Sequence, residues 1–295
     1  NYLTSAAMAL DAGLCDVALI VYGSNQRTAS GRLVTASRPP AYEAPYNPRY
    51  PTSAYAMAAA RHMHEYGTTR EQLADVAVAA RAWAQRNPEA FERGPLTRED
   101  VLGARMVGDP LTVRDCCLVT DGGGAIVMVR ADRARDFPKA PVYVLGSAAA
   151  SSHRQISQMK DFTVTAARDS GARAFAAAGV TPADIQAVEL YDAFTINTIL
   201  FLEDLGFCAK GEGGAFVEGG RIAPGGVLPV NTNGGGLSCV HPGMYGIFTV
   251  IEAARQIRGE APGIQLKDIA LAVAHGNGGV LSSQVTAILG SQNTL

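Results

Sequence analysis

The chain has 295 residues, 47% hydrophobic and 18% charged, enough apolar material for a large core and too little charge for a disordered chain. Its 25 basic and 27 acidic residues leave a net charge of -2 with no basic block, which argues against nucleic acid or an anionic membrane as a partner. The five cysteines show neither metal-site spacing nor a disulfide framework, no apolar run reaches the roughly 20 residues of a membrane span, and no leader opens the chain, so a soluble, cytoplasmic protein with no metal of its own is expected.

In chain order, Leu3, Ala6, Ala7, Leu10 and Leu14 form a helical stripe with no capping residue ahead of it, so N-terminal sequence is expected to be missing. Asp16 to Gly23, DVALIVYG, has the length and continuous apolarity of a fully buried strand. From about 24 to 114 the character changes to a Pro- and Tyr-rich stretch and two helical patterns, Ala54 to Tyr66 and Thr69 to Gln85, which reads as an inserted cap over a site. Arg61, His62 and His64 lie on the first of these helices. Histidines two apart point in different directions, so a solvated or partner-facing surface is expected rather than a metal pair. The adjacent Cys116 and Cys117 read as buried hydrophobes.

Thr120 to Arg130 places a glycine turn before a strand, and Val142 to Gly146 forms another strand. An Ala-rich helix spans Thr163 to Gly179, a buried strand Ala187 to Leu190, and an apolar helix Thr195 to Leu205. Then comes NTNGGGLSCVHPGMYG, Asn231 to Gly246, with a predicted helix from Met244 to Arg258 stopped by Gly259. His241 and Pro242 stand at that helix's expected entrance, where free N–H groups and the macrodipole favour a neutral imidazole beside an acyl thioester or enolate oxygen. A strand Ile269 to Ala274, a turn His275 to Gly279 and a strand Gln284 to Gly290 close the chain. Helix, strand, glycine turn and strand thus occur twice, which predicts two similar halves, 1–135 with the cap and 136–295, around a shared site.

Three segments carry a family resemblance: Tyr191-Asp192-Ala193-Phe194, Val240-His241-Pro242-Gly243 and Gly276-Asn277-Gly278-Gly279. They are similar, in turn, to the Asn-Glu/His-x-Phe, Gly-His-Pro and Cys-x-Gly segments of the thiolase superfamily, and Asp121 to Ala125 also matches. The resemblance implies an α/β thiolase fold of five layers, α-β-α-β-α, coenzyme A thioester substrates and a homodimer. Two departures stand out. Tyr191 replaces the oxyanion-hole Asn, and Gly276 replaces the acid/base Cys, while the nucleophilic Cys would fall before Asn1. What remains is His241 with two phenols, Tyr191 and Tyr245.

That set resembles the thiolase-like aldolases of steroid side-chain degradation, in which tyrosines move protons and a partner with an OB-fold and a small zinc ribbon is required. Retro-aldol cleavage of a β-hydroxyacyl-CoA needs a base for the hydroxyl proton and donors for the enolate, without a covalent acyl-enzyme. A tyrosine near its ordinary pKa of about 10 is a poor base, so a cation or helix end is expected to lower it. His275, next to the last turn, is a further acid/base candidate. The N–H groups of Gly235, Gly236, Gly278 and Gly279 are expected to receive the thioester, although such glycines also allow backbone to pass close to backbone. An acetyltransferase using an upstream Cys, and a catalytically silent acyl-CoA carrier, are the competing readings.

Overall fold

A computed structural model describes residues 1–29 and 39–295; the part of the expected cap at 30–38 lies outside them. Helix α1 (Tyr2–Asp11) leads into β1 (Val17–Ser24). The expected cap region contains α2 (Thr52–Tyr66), α3 (Arg70–Ala84), the short α4 (Arg98–Leu102) and a small hairpin of β2 (Met106–Gly108) with β3 (Leu111–Thr112). Strand β4 (Gly122–Val129) pairs antiparallel with β1, Leu19 opposite Val127. The rest follows as β5 (Tyr143–Ser151), α5 (Ala167–Ala178), β6 (Ala187–Leu190), α6 (Thr195–Asp204), α7 (Gly213–Val217), α8 (Gly246–Arg258), β7 (Leu271–Gly278) and β8 (Ser283–Gly290). A second sheet has the order β5-β8-β7-β6, with only β6 and β7 parallel.

Four layers result. The β1–β4 ribbon packs on α1 and α8, these pack on the four-stranded sheet, and α5 and α6 cover the sheet's far face. The order agrees with the α-β-α-β-α expectation, without a helical layer over the ribbon among the described residues. Strand β1 therefore differs from its fully buried reading: Leu19, Val21 and Val127 are 65%, 64% and 58% exposed on the outer face. Glycines 122–124 are not a turn either. They lie inside β4, where a Cβ on Gly124 would stand 2.6 Å from Ile251 Cδ1 of α8. Residues 276–278 likewise belong to strand β7, and the turn begins at Gly279.

The predicted cap helices are present, for local reasons. Thr69 accepts from the Gln72 N–H while Gln72 Oε1 accepts from the Thr69 N–H, a reciprocal cap that starts α3, and Gly67 at φ 74° ends α2. The surface reading of His62 is corrected. Its ring is fully buried, Nε2 3.0 Å from Glu203 Oε1 on α6 and Nδ1 2.7 Å from Thr68 Oγ1. Lys210 adds contacts to Glu203 at 3.0 Å and Asp204 at 2.7 Å, so a charged cluster pins α2 to the core. Helix α6 is buried along its whole length, as a helix apolar all round should be. Among the described residues no helix is long and apolar enough to cross a membrane.

A second buried polar cluster joins β6 to α8. The Thr232 hydroxyl lies 2.8 Å from Glu189 Oε1 and 2.6 Å from Glu252 Oε1, and accepts from Gln256 Nε2 at 3.1 Å. One hydroxyl proton cannot serve two carboxylates, so at least one of the acids is protonated. Burial raises Glu189 well above the ordinary 4.5, and the charge of Glu252 adds to this. The folded state thus keeps protons that the unfolded chain releases. Stability is complete below the unfolded value and falls as pH rises towards the folded one. The melting-temperature difference between wild type and Glu189→Gln should therefore move against the wild type as pH rises above the ordinary 4.5; a constant difference in a thermal melt series would contradict the assignment.

Candidate active site

Strand β6 delivers Tyr191. The parallel pairing with β7 sets Leu190 beside His275, and the Tyr191 N–H donates to the His275 carbonyl at 3.0 Å. The chain then turns inward through Asp192, fully buried, to Phe194, on which Tyr55 of α2 stacks with ring centroids 4.3 Å apart. The second strand of the site comes from Asn231 onward. Asn231 Oδ1 accepts the Leu190 N–H at 2.7 Å, and Asn233 Oδ1 accepts from the Gly235 N–H at 2.7 Å. Residues Gly235–Cys239 then wind a single wide π turn.

Asp192 explains that turn. Its carboxylate accepts from the Gly236 N–H at 2.6 Å and the Leu237 N–H at 3.3 Å. A Cβ on Gly235 would stand 2.0 Å from Asp192 Oδ2, and one on Gly236 would stand 3.0 Å from Oδ1. The glycines therefore admit a buried acid. This corrects the expectation that Gly235 and Gly236 receive a thioester, because both N–H groups are already spent within the protein. Burial pushes the Asp192 carboxyl up to about 7 against the pull of these N–H donors.

The helix predicted from Met244, with His241 and Pro242 at its entrance, begins at Gly246 with Tyr245 as its cap, so His241 stands outside its first turn. Gly243 at φ 94° cannot continue a right-handed helix, and Tyr22 donates to the Pro242 carbonyl at 2.5 Å. His241 is held instead by Thr120, whose Oγ1 accepts the His241 N–H at 3.0 Å and whose N–H donates to the His241 carbonyl at 3.2 Å. The neutral imidazole foreseen there is present for a different reason: burial, not a helix dipole, pulls its pKa down to about 4.

The structure brings Tyr191 to that imidazole. Tyr191 Oη lies 3.1 Å from His241 Nε2 and 3.4 Å from the Gly243 carbonyl, with the two rings edge to face. No lowering of the phenol accompanies this contact. Burial raises Tyr191 far above the ordinary tyrosine range, and the nearby Cys117 and Tyr55 add to the effect.

Tyr245 and His275 are placed otherwise. The Tyr245 ring meets Tyr191 edge-on, but it is fully buried and its hydroxyl donates to Asn233 Oδ1 at 2.9 Å, into the glycine turn. It buttresses Tyr191. His275 is also fully buried, Nδ1 2.9 Å from Thr286 Oγ1 and Nε2 3.0 Å from Gln284 Oε1, with Phe201 against its ring. Strand alternation points it to the α5–α6 face of the sheet, away from the phenols, and burial brings its pKa down to about 4. Its part in the site is its carbonyl. Gly278 pairs with Ser283, and Gly279 at φ 61° makes the hairpin turn. The residue of that segment that reaches the site is Asn277, which donates to the Tyr55 hydroxyl at 2.9 Å.

Asp192, Tyr55 and Asn277 escaped the sequence reading. Tyr55 sits in AYAMAAA and looks like ordinary core. Asp192 did leave a signal, an acid flanked by apolar residues between a buried strand and a buried helix. Among the thiols, burial pushes Cys116, Cys208 and Cys239 each up to about 12 and raises Cys117 as well. None of these four rests as a thiolate.

The sequence model of a family described as "Thiolase C-terminal domain-like" matches residues 148–291. An acetyl-CoA acetyltransferase of Methanothermobacter thermautotrophicus is 41% identical over 283 residues, 94% of this chain and 73% of that protein. A steroid side-chain-cleaving aldolase of Thermomonospora curvata is 37% identical over 270 residues, 86% of this chain and 68% of that protein. The solved structure of an "Ltp2-ChsH2(DUF35) aldolase" superposes with a TM-score of 0.90 at 35% identity, covering 99% of this chain and 77% of that one.

The two glycine segments should respond differently to substitution. Gly235→Ala drives a methyl group into Asp192 at a positive φ and should cost at least about 2 kcal/mol. Gly278→Ala meets only ordinary contact with Ser283, at 3.6 Å. It should stay within about 1 kcal/mol of the parent, as denaturant titration of the two variants would reveal.

Proposed function

The chain belongs to the thiolase superfamily, and from that premise we propose that it breaks, or in reverse makes, a carbon–carbon bond of an acyl-CoA by aldol chemistry. The observation that carries the reading is the Tyr191–His241 contact at 3.1 Å, made by two groups that burial keeps neutral. The thiols described above offer no resting nucleophile, whereas a neutral phenol on a neutral imidazole is a proton relay. Beside it, Gly246 and Gly276 face each other, and a Cβ on Gly246 would meet the Tyr191 ring at an ordinary contact distance of 3.9 Å.

In the cleavage direction the β-hydroxyl proton of the substrate passes to Tyr191 Oη while the Tyr191 proton moves to His241 Nε2. The Cα–Cβ bond breaks, its electron pair becomes the thioester enolate, and the β-carbon becomes a carbonyl. Imidazolium and enolate then face each other. An imidazolium with a pKa depressed to about 4 returns its proton readily, through Tyr191 to the α-carbon, and both products leave neutral. Relay through His241 removes the need for a resting phenolate, which burial forbids.

Coenzyme A enters as part of the thioester substrate. The division into halves at 135/136 belongs to the proposal as well: Tyr191 and His241 come from the second half, and Tyr22 and Tyr55 from the first. So do a homodimer and a second protein component. The solved relative's name joins Ltp2 with ChsH2, and an OB-fold and zinc-ribbon partner is what the resemblance implies.

The acetyltransferase relative supports a second reading, acyl transfer through a cysteine thiolate supplied from outside these residues. A covalently acylated peptide, seen by mass spectrometry after incubation with acetyl-CoA, would favour it.

With a β-hydroxyacyl-CoA, Tyr191→Phe should lower kcat by about 100- to 10,000-fold and leave acyl-CoA affinity within about threefold; full turnover in that variant would refute the relay. As pH falls through about 4, His241 gains its own proton and can no longer accept one. The rate should drop in that range, and a rate that holds at lower pH would count against His241 as the proton acceptor.

A further inference from the structure

The relay needs two atoms from distant parts of the chain, Tyr191 Oη and His241 Nε2, held within hydrogen-bond reach. Tyr191 is covalently joined to Asp192, and Asp192 grips the N–H groups of Gly236 and Leu237, in the turn that runs into Cys239, Val240 and His241. Among the described residues no cation pairs with this carboxylate, and it holds the turn through backbone N–H groups, with the Asn231 side chain as a further donor beside it. The site of a Cβ on Gly236 would lie 3.0 Å from Asp192 Oδ1 and 3.3 Å from His241 Cδ2. Carboxylate and imidazole thus stand on either side of a single glycine.

We propose that Asp192 is a positioning residue for the proposed reaction: its two-oxygen grip on the glycine turn sets the Tyr191–His241 distance. This rests on the reading of Tyr191 and His241 as the proton relay. Asp192 touches neither reacting atom. It fixes the length of the short path that joins them.

A carboxylate accepts on both oxygens, whereas a carboxylic acid offers one of them as a donor, which an N–H cannot use. Protonating Asp192 therefore loosens one of its two bonds to the turn. With the carboxyl pushed up to about 7, that change falls in an accessible range. Around it, burial raises Cys117 ahead of β4, Cys239 in the turn and Tyr245 ahead of α8, and His241 itself gains its proton only near 4; Glu189 on β6 is raised by burial too and feels the charge of Asp192, so the Asp192→Asn variant is what assigns the inflection.

The test follows the His241 imidazole by 15N NMR in histidine-labelled protein, without substrate. The wild-type Nε2 resonance should show an inflection near pH 7 besides the one near 4, and Asp192→Asn should abolish the first. The same variant keeps shape but turns an amide donor towards the N–H groups, so its kcat per folded molecule should fall on the order of 100-fold while KM changes by less than about threefold. A wild-type resonance flat through pH 7, or a folded Asp192→Asn with unchanged kcat, would overturn the inference. If Asp192→Asn does not fold, the wild-type titration alone decides. Failure of the reaction assignment is separate: it appears as full turnover in Tyr191→Phe, and leaves the substrate-free titration intact.

Discussion

A buried carboxylate gripping two backbone N–H groups is the contact on which the site depends. Desolvating Asp192 carries a large penalty, and the penalty is offset only where donors are supplied at short range. Here they come from a turn that must be glycine, because any side chain at Gly235 would occupy the space of the acid. The same contact explains why the chain winds a π turn at 235–239 and does not run directly into α8. Everything after it, including the extended run through Val240 to His241, starts from that anchor.

Burial then decides the charge state of the site. It lowers His241, and it raises Tyr191 and Tyr245 together with the thiols of Cys117 and Cys239. All of them rest neutral near pH 7. Chemistry in such a place proceeds by moving protons between neutral partners, with charge appearing only when substrate bonds change. A thiolate mechanism would need a cation or a helix end aimed at sulfur. Cys116, Cys117, Cys208 and Cys239 lie in surroundings that raise their pKa instead.

Helix α2 is part of this arrangement and not an appendage. His62 and Lys210 converge on Glu203, which ties α2 to α6. That tie carries Tyr55 onto Phe194 and within reach of Asn277. The segment that replaces the family's Cys-x-Gly pattern thus still meets the site, through the side chain of its second residue.

By itself the sequence determined the elements with local causes: the Thr69–Gln72 cap of α3, the apolar α6, the short strand β6, and the three segments that place the chain in its superfamily. These depend on neighbours in sequence, so they could be read there. It also grouped His241 with Tyr191 and Tyr245, and set His275 beside them, without separating the pair that meets from the two that do not. What the tertiary structure alone decided is where side chains and N–H groups end. Glycine looks the same in a turn, in a strand pressed against a helix, as at Gly124, and beneath a buried acid, as at Gly235. The four faces of the site, β6, β7, the glycine turn and α2, come from residues as far apart as Tyr55 and Asn277. Only their packing shows that Tyr245 and His275 spend their polar atoms elsewhere, and that Asp192, given no role of its own by the sequence, holds the turn.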